Sequence, residues 1–166
     1  MNLKKKICML GVYSVGKTSL VRSFVSSIFD DKYLSTVGVK IDKKLVEIEG
    51  QPIEFLLWDI AGEDEHFSVP SSYLRGASGY LLVMDGTRKD TFDRALDLQF
   101  RTEDAIGPIP FIVVLNKVDL ADEWQIGPQE LARLDKMNWT FIKTSAKTGA
   151  GVEEAFHKLG QKVLHP

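Results

Sequence analysis

The residues Gly11-Val12-Tyr13-Ser14-Val15-Gly16-Lys17-Thr18 fit the pattern G-x-x-x-x-G-K-[ST], which sets a cation and a hydroxyl directly behind a glycine-containing loop. That combination suits phosphate. Gly11 and Gly16 allow backbone angles at which successive N–H groups converge on one anion. A helix opening at Lys17 adds the positive end of its dipole. Lys17 can reach β and γ phosphates, and the Thr18 hydroxyl is placed to ligate magnesium. Nucleotide contacts are expected from Tyr13, Ser14, Val15, Gly16, Lys17, Thr18 and Ser19.

Further oxygen ligands for a hard divalent cation are expected from Asp59, which follows the apolar run Phe55 to Trp58, and from the Thr36 hydroxyl. Gly62 can bring its N–H against a γ phosphate because a side chain there would hold the loop away. Thr36 and Gly62 thus read as sensors of the third phosphate, and losing it would release the segment around Thr36. Base choice falls to Asn116-Lys117-Val118-Asp119. Guanine offers an N1–H and a 2-amino group side by side, which one carboxylate, Asp119, can accept; adenine lacks the second donor. Lys117 covers a face of the base with its stem, and Asn116 ties this loop to the phosphate loop. Leu120 belongs to the same loop. In Ser145-Ala146-Lys147 the small Ala146 lets a backbone N–H approach the guanine O6, and Phe29 closes the base from the side. The cofactors expected are GTP or GDP with Mg2+.

These segments need strands that end beside one another. Short apolar runs at Lys6–Leu10, Tyr80–Met84, Phe111–Leu115 and Thr140–Ile142 alternate with amphipathic stretches at Lys17–Ser26, Phe92–Ala105, Pro128–Met137 and Val152–Val163. That alternation predicts an α/β fold with a mostly parallel sheet. Val39–Glu49 and Pro52–Trp58 alternate apolar and polar residues around Glu49-Gly50-Gln51, which predicts a hairpin and one antiparallel edge strand. Every motif follows a strand, where open α/β sheets bind ligands.

With 166 residues, 21 basic and 23 acidic, the net charge is −2, so no global field favours nucleic acid. A single domain over residues 1–166 is expected, with no repeat or linker. The single cysteine, Cys8, lies in an apolar run and reads as a core thiol. The apolar run Tyr80–Met84 is too short to span a membrane, Met1-Asn2 lacks the glycine that myristoylation requires and Val163-Leu164-His165-Pro166 has no cysteine, so no membrane anchor is expected in this chain. A cytoplasmic monomer is expected, reaching a membrane only peripherally through a partner. Asp30, Asp31, Asp85 and Asp90 read as solvated loop and cap carboxylates. Trp58 reads either as core or as part of an exposed apolar patch with Phe67.

These segments, in this order, resemble the Ras superfamily of small GTPases from Lys5 to about Leu164, with Thr36-Val37-Gly38-Val39 and Trp58-Asp59-Ile60-Ala61-Gly62-Glu63 most like its Rab and Ras branches. The resemblance implies a P-loop NTPase fold: a six-stranded, mostly parallel sheet with helices on both faces. It also implies GTP hydrolysis, with Lys17, Thr36, Gly62 and Glu63 as the residues expected to act in it, and effector and regulator binding through Lys32 to Val39 and Glu63 to Gly76. The chain departs from the family twice. Glu63 stands where a glutamine commonly orients the attacking water, and the sign of that change is open. Tyr13 stands where a small residue is common; its ring either projects over the γ phosphate, obstructing an arginine supplied in trans, or points outward. The expected function is a slowly hydrolysing nucleotide switch. The alternative is a guanine-nucleotide-dependent binding module with little or no hydrolysis.

Overall fold

The structure is a computed structural model that describes residues 2–27, 29, 36 and 38–166. Positions 30–35 and 37, and with them Asp30, Asp31 and most of the expected Lys32–Val39 partner segment, lie outside the described residues.

The elements are β1 (Leu3–Leu10), α1 (Lys17–Ser26), β2 (Val39–Ile48), β3 (Gln51–Ile60), α2 (Ser71–Leu74), β4 (Gly79–Asp85), α3 (Asp90–Ile106), β5 (Phe111–Asn116), α4 (Pro128–Lys136), β6 (Phe141–Lys143) and α5 (Val152–Leu164). The six strands lie in the order β2-β3-β1-β4-β5-β6, all parallel except β2 against β3. β2 is therefore the antiparallel edge strand. The hairpin turns on Glu49 and Gly50, both at positive φ (52° and 78°), the backbone that a two-residue turn between twisted strands requires.

Apolar side chains alternate across the sheet and feed two cores. On one face Ile7, Met9 and Leu57 meet Phe24 of α1 and Phe156 of α5, whose rings stack with centroids 3.9 Å apart. On the other Cys8, Leu82 and Leu115 meet Leu74 of α2, Leu98 of α3 and Leu134 of α4. Each such fully buried side chain contributes about 1.5–3 kcal/mol. Helix α5 shows why the sequence works: Val152, Ala155, Phe156, Leu159 and Val163 recur at helical spacing and, with Gly160, are the residues it buries. Cys8 is fully buried, and burial pushes its thiol up to about 12, so it is a core residue.

Most boundaries differ from expectation by a residue or two, and three of them bear on the argument. β1 begins at Leu3, because Lys4 to Lys6 pair with β3 and are strand residues. Lys6 lays its ammonium 3.6 Å from the centre of the Trp58 ring, which leaves Trp58 half-buried, between the two expected positions. β3 runs through Asp59 to Ile60, which fixes the Asp59 backbone within the ladder. Finally, α3 starts at Asp90, with Asp90 and Asp93 in its positive first turn.

Between adjacent strands β1 and β4 the chain leaves in opposite directions, to α1 on one face and to α3 on the other. A crevice opens at their carboxyl ends.

Candidate functional site

The loop from Gly11 to Gly16 fills that crevice. Ser14 and Gly16 both have positive φ (62° and 100°), so their N–H groups turn inward and form an anion-binding concavity ahead of α1. Lys17 is 6% exposed, and its Nζ donates to the Gly11 and Val12 carbonyls at 3.3 and 3.1 Å. Burial lowers its pKa to about 8, with Arg88 adding to the effect and Asp59 and Glu63 opposing it. A polyanion over the loop would raise it again. The cleft above has a volume of about 260 Å³ and is lined by Lys17, Thr18, Ser19, Thr36 and Gly62 among others.

Three oxygen-bearing side chains from separate segments converge at its edge. Thr18 donates to Asp59 Oδ2 at 2.6 Å, the Thr18 and Thr36 hydroxyl oxygens lie 2.6 Å apart, and Thr36 lies 3.3 Å from the same carboxylate oxygen. Asp59 Oδ1 is buried without a hydrogen-bond partner among the described residues. Burial raises the pKa of Asp59, outweighing the Thr18 hydroxyl and the Lys17 ammonium. Two hydroxyls and a carboxylate with an orphaned oxygen fit a hard divalent cation such as Mg2+, whose remaining ligands would come from phosphate and water.

The base loop is bound to the phosphate loop. Asn116, 2% exposed at the end of β5, donates from Nδ2 to the Val15 carbonyl at 3.0 Å and accepts from the Thr144 hydroxyl at 3.1 Å. Lys117 adopts φ 74° and donates to the Ser14 carbonyl at 3.2 Å. Its ammonium is 2.8 Å from Asp85. Asp119 accepts from the Ser145 hydroxyl at 2.7 Å, which fixes the carboxylate plane. Phe29, Ala146 and Lys147 line a neighbouring pocket of about 290 Å³. Leu120 is exposed in the same loop and lines neither pocket.

Asp85 corrects the sequence reading. It is 1% exposed rather than solvated, held by Lys117, by Arg88 Nε at 3.1 Å and by the Thr87 amide and hydroxyl. These partners, above all Lys117, keep its carboxyl below the usual range despite burial. Arg88 also donates to the Tyr13 carbonyl at 2.7 Å, tying the end of β4 to the phosphate loop.

The two departures occupy distinct places. Tyr13 is 44% exposed and lines both the mouth of the cleft and the open groove beside Asp64, His66 and Arg88. The Glu63 backbone runs against the phosphate loop, with Tyr13 N–H donating to Glu63 O at 3.0 Å and Glu63 N–H to Gly11 O at 3.3 Å. Its side chain leaves the cleft: the carboxylate pairs with Arg101 of α3 at 2.5 and 3.1 Å and accepts the Val69 N–H at 2.8 Å. Arg101 was invisible to sequence reasoning. The only signal near it was an i,i+4 pairing with Asp97, seen at 2.9 Å.

The profile of the Ras family matches residues 6–165. Among similar proteins, the Ras-related protein RabJ of Dictyostelium discoideum is 36% identical over 98% of this chain and 64% of its own length. The Ras-related protein RABC2a of Arabidopsis thaliana is 34% identical over 98% of the chain and 79% of its own length. The GTP-binding protein ypt1 of Schizosaccharomyces pombe is 32% identical, with 95% of the chain and 79% of that protein covered. The chain thus spans somewhat under two thirds of RabJ and about four fifths of the other two. The phosphate loop, the cation-type oxygens and the base loop meet on one six-stranded sheet, and the family profile runs through all three: this chain belongs to the Ras superfamily of small GTPases and is Rab-like.

Proposed function

We propose that residues 1–166 form a single G domain that binds GTP and GDP with Mg2+ and acts as a nucleotide-dependent switch, hydrolysing GTP slowly. The observation that carries this reading is the meeting of Thr18, Thr36 and Asp59 beside the buried Lys17, because it joins the phosphate loop to the two segments expected to sense the third phosphate. Lys17 and the Ser14–Ser19 amides hold the phosphates. Mg2+ at Thr18, Thr36 and Asp59 would neutralise phosphate charge. Asp119, positioned by Ser145, accepts the guanine donors, while Phe29, Ala146 and Lys147 flank the base. With GTP gone to GDP, Thr36 and Gly62 lose their shared anchor, and partners reading Lys32–Val39 and Glu63–Gly76 are released. The domain acts as a monomer in the cytoplasm, meeting membranes through a partner. No helix among the described residues is long and apolar enough to cross one.

Slow hydrolysis follows from the departures. Residue 63 offers no amide to the cleft, and Tyr13 at its mouth narrows the path for an arginine supplied in trans, whose contribution is typically about 10³ to 10⁵ in rate. The Glu63–Arg101 pair also favours the second reading, a binding module with little turnover.

Identifying the copurifying nucleotide and timing its hydrolysis tests the proposal. Bound GDP or GTP, with phosphate released over hours, is expected, whereas GTP that stays intact selects the binding module. Single-turnover rates of wild type, Tyr13→Gly and Glu63→Gln then locate the cause. Equal rates in all three, with and without an activating protein, would clear both positions. Gly62→Ala is expected to slow hydrolysis about tenfold through misplaced groups. Its added methyl would lie 2.6 Å from Tyr13 Cα and 2.8 Å from the Val12 carbonyl, prising this segment off the phosphate loop. An unchanged rate would show that the backbone contact between Gly62 and the loop has no part in turnover.

A further inference from the structure

We infer that Arg101 is a positioning residue for hydrolysis: it holds the Glu63 carboxylate on α3, outside the phosphate cleft, and so keeps the intrinsic rate low. The inference rests on the GTPase reading above. Residue 63 is divided between two surroundings. Its backbone is bonded to Gly11 and Tyr13 of the phosphate loop, while both carboxylate oxygens face away, one on Arg101 Nη2 and the other shared by Arg101 Nη1 and the Val69 N–H. The guanidinium is itself oriented, because its Nε donates to Asp97 at 2.9 Å. The carboxylate end is the shielded one, 9% exposed against 44% for Arg101, so the side chain rests against protein and its charge is neutralised there.

Both sequence neighbours of Glu63, Gly62 and Asp64, line the cleft, so the carboxylate is held one residue away from it. Once released, it can act as a general base. The oxygen of a water bonds to the terminal phosphorus, the bond from phosphorus to the bridging oxygen breaks with its electron pair leaving on GDP, and the water proton passes to Glu63. With Arg101 in place, the carboxylate is held from this role.

Single-turnover GTP hydrolysis in wild type, Arg101→Ala, Glu63→Ala and the double variant tests the coupling, with hydrogen exchange of the Val69 amide followed in parallel. Arg101→Ala is expected to hydrolyse GTP about threefold or more faster, short of the about 10² to 10⁴ that a fully positioned base supplies. The gain should vanish in the Glu63→Ala background, and Arg101→Lys, keeping one charged donor, should fall between wild type and Arg101→Ala. Val69 should exchange faster in Arg101→Ala. A rate no higher than wild type, or a gain that survives without Glu63, overturns the inference. If Arg101→Ala fails to fold, Arg101→Lys decides: it must exceed wild type. If the wild type binds no GTP, the GTPase reading fails, and Val69 exchange alone then tests the hold of Arg101 on Glu63.

Discussion

Asp119→Asn is expected to weaken GDP and GTP binding by about 10² to 10⁴ while leaving the fold intact. Guanine presents two donors to this carboxylate, and each charge-assisted bond is worth about 1.5–3 kcal/mol, so their loss amounts to about 3–6 kcal/mol at 1.4 kcal/mol per decade. The asparagine keeps one acceptor and turns an amide donor toward a donor of the base. Ser145 sharpens the effect, because its hydroxyl donates to Asp119 Oδ1 at 2.7 Å and thereby fixes which oxygen faces the ligand. Asp119 lies in an exposed loop, so melting without nucleotide should match wild type. Competition of ATP against GTP by equilibrium dialysis reads the outcome. Retention of guanine preference would move the base site elsewhere.

The local parts of this site were legible from the chain because each is a short stretch with its own backbone requirement. Gly11 to Thr18 announces a strand, a turn and a helix within a few residues, and the apolar runs that became β1, β4 and β5 are periodic on their own. The joins were not legible, since they depend on how elements meet. Asp85 looked solvated because nothing near it in sequence suggested Lys117 as a partner across the β4–β5 crossover. Glu63 looked poised over phosphate because its neighbours form the D-x-x-G segment. The residue that turns it away is 38 positions downstream on a helix whose facing carries no local signature. Similarly, the apolar run alone starts β1 at Lys6, and only the pairing of Leu3, Lys4 and Lys5 with β3 extends the strand.

Gly16→Ala is expected to cost more than a methyl group added at Gly11 or Gly62, because two penalties fall on one atom. Gly16 has φ 100° and ψ 24°, where an L side chain is strained by about 1–3 kcal/mol. The added carbon would also lie 2.3 Å from Nδ2 of Asn116, a side chain that cannot yield freely. Asn116 is 2% exposed and bonded to Val15 and Thr144, so displacing it leaves buried polar groups unpaired at about 1–3 kcal/mol each. Together these approach the lower end of total domain stability, about 5–15 kcal/mol, and imply a melting temperature lower by about 10 °C or more for a chain of this size. The same displacement breaks the tie between the base and phosphate loops, so GDP affinity should fall with stability. Gly50→Ala isolates the first penalty, since φ there is 78° with nothing within 4 Å of the added carbon. If thermal melting places the two variants level, the clash with Asn116 contributes nothing. If Gly16→Ala is the lower and Gly16→Ala with Asn116→Ala regains part of the difference, then the carboxamide is the obstacle and the phosphate loop is seated by the base loop.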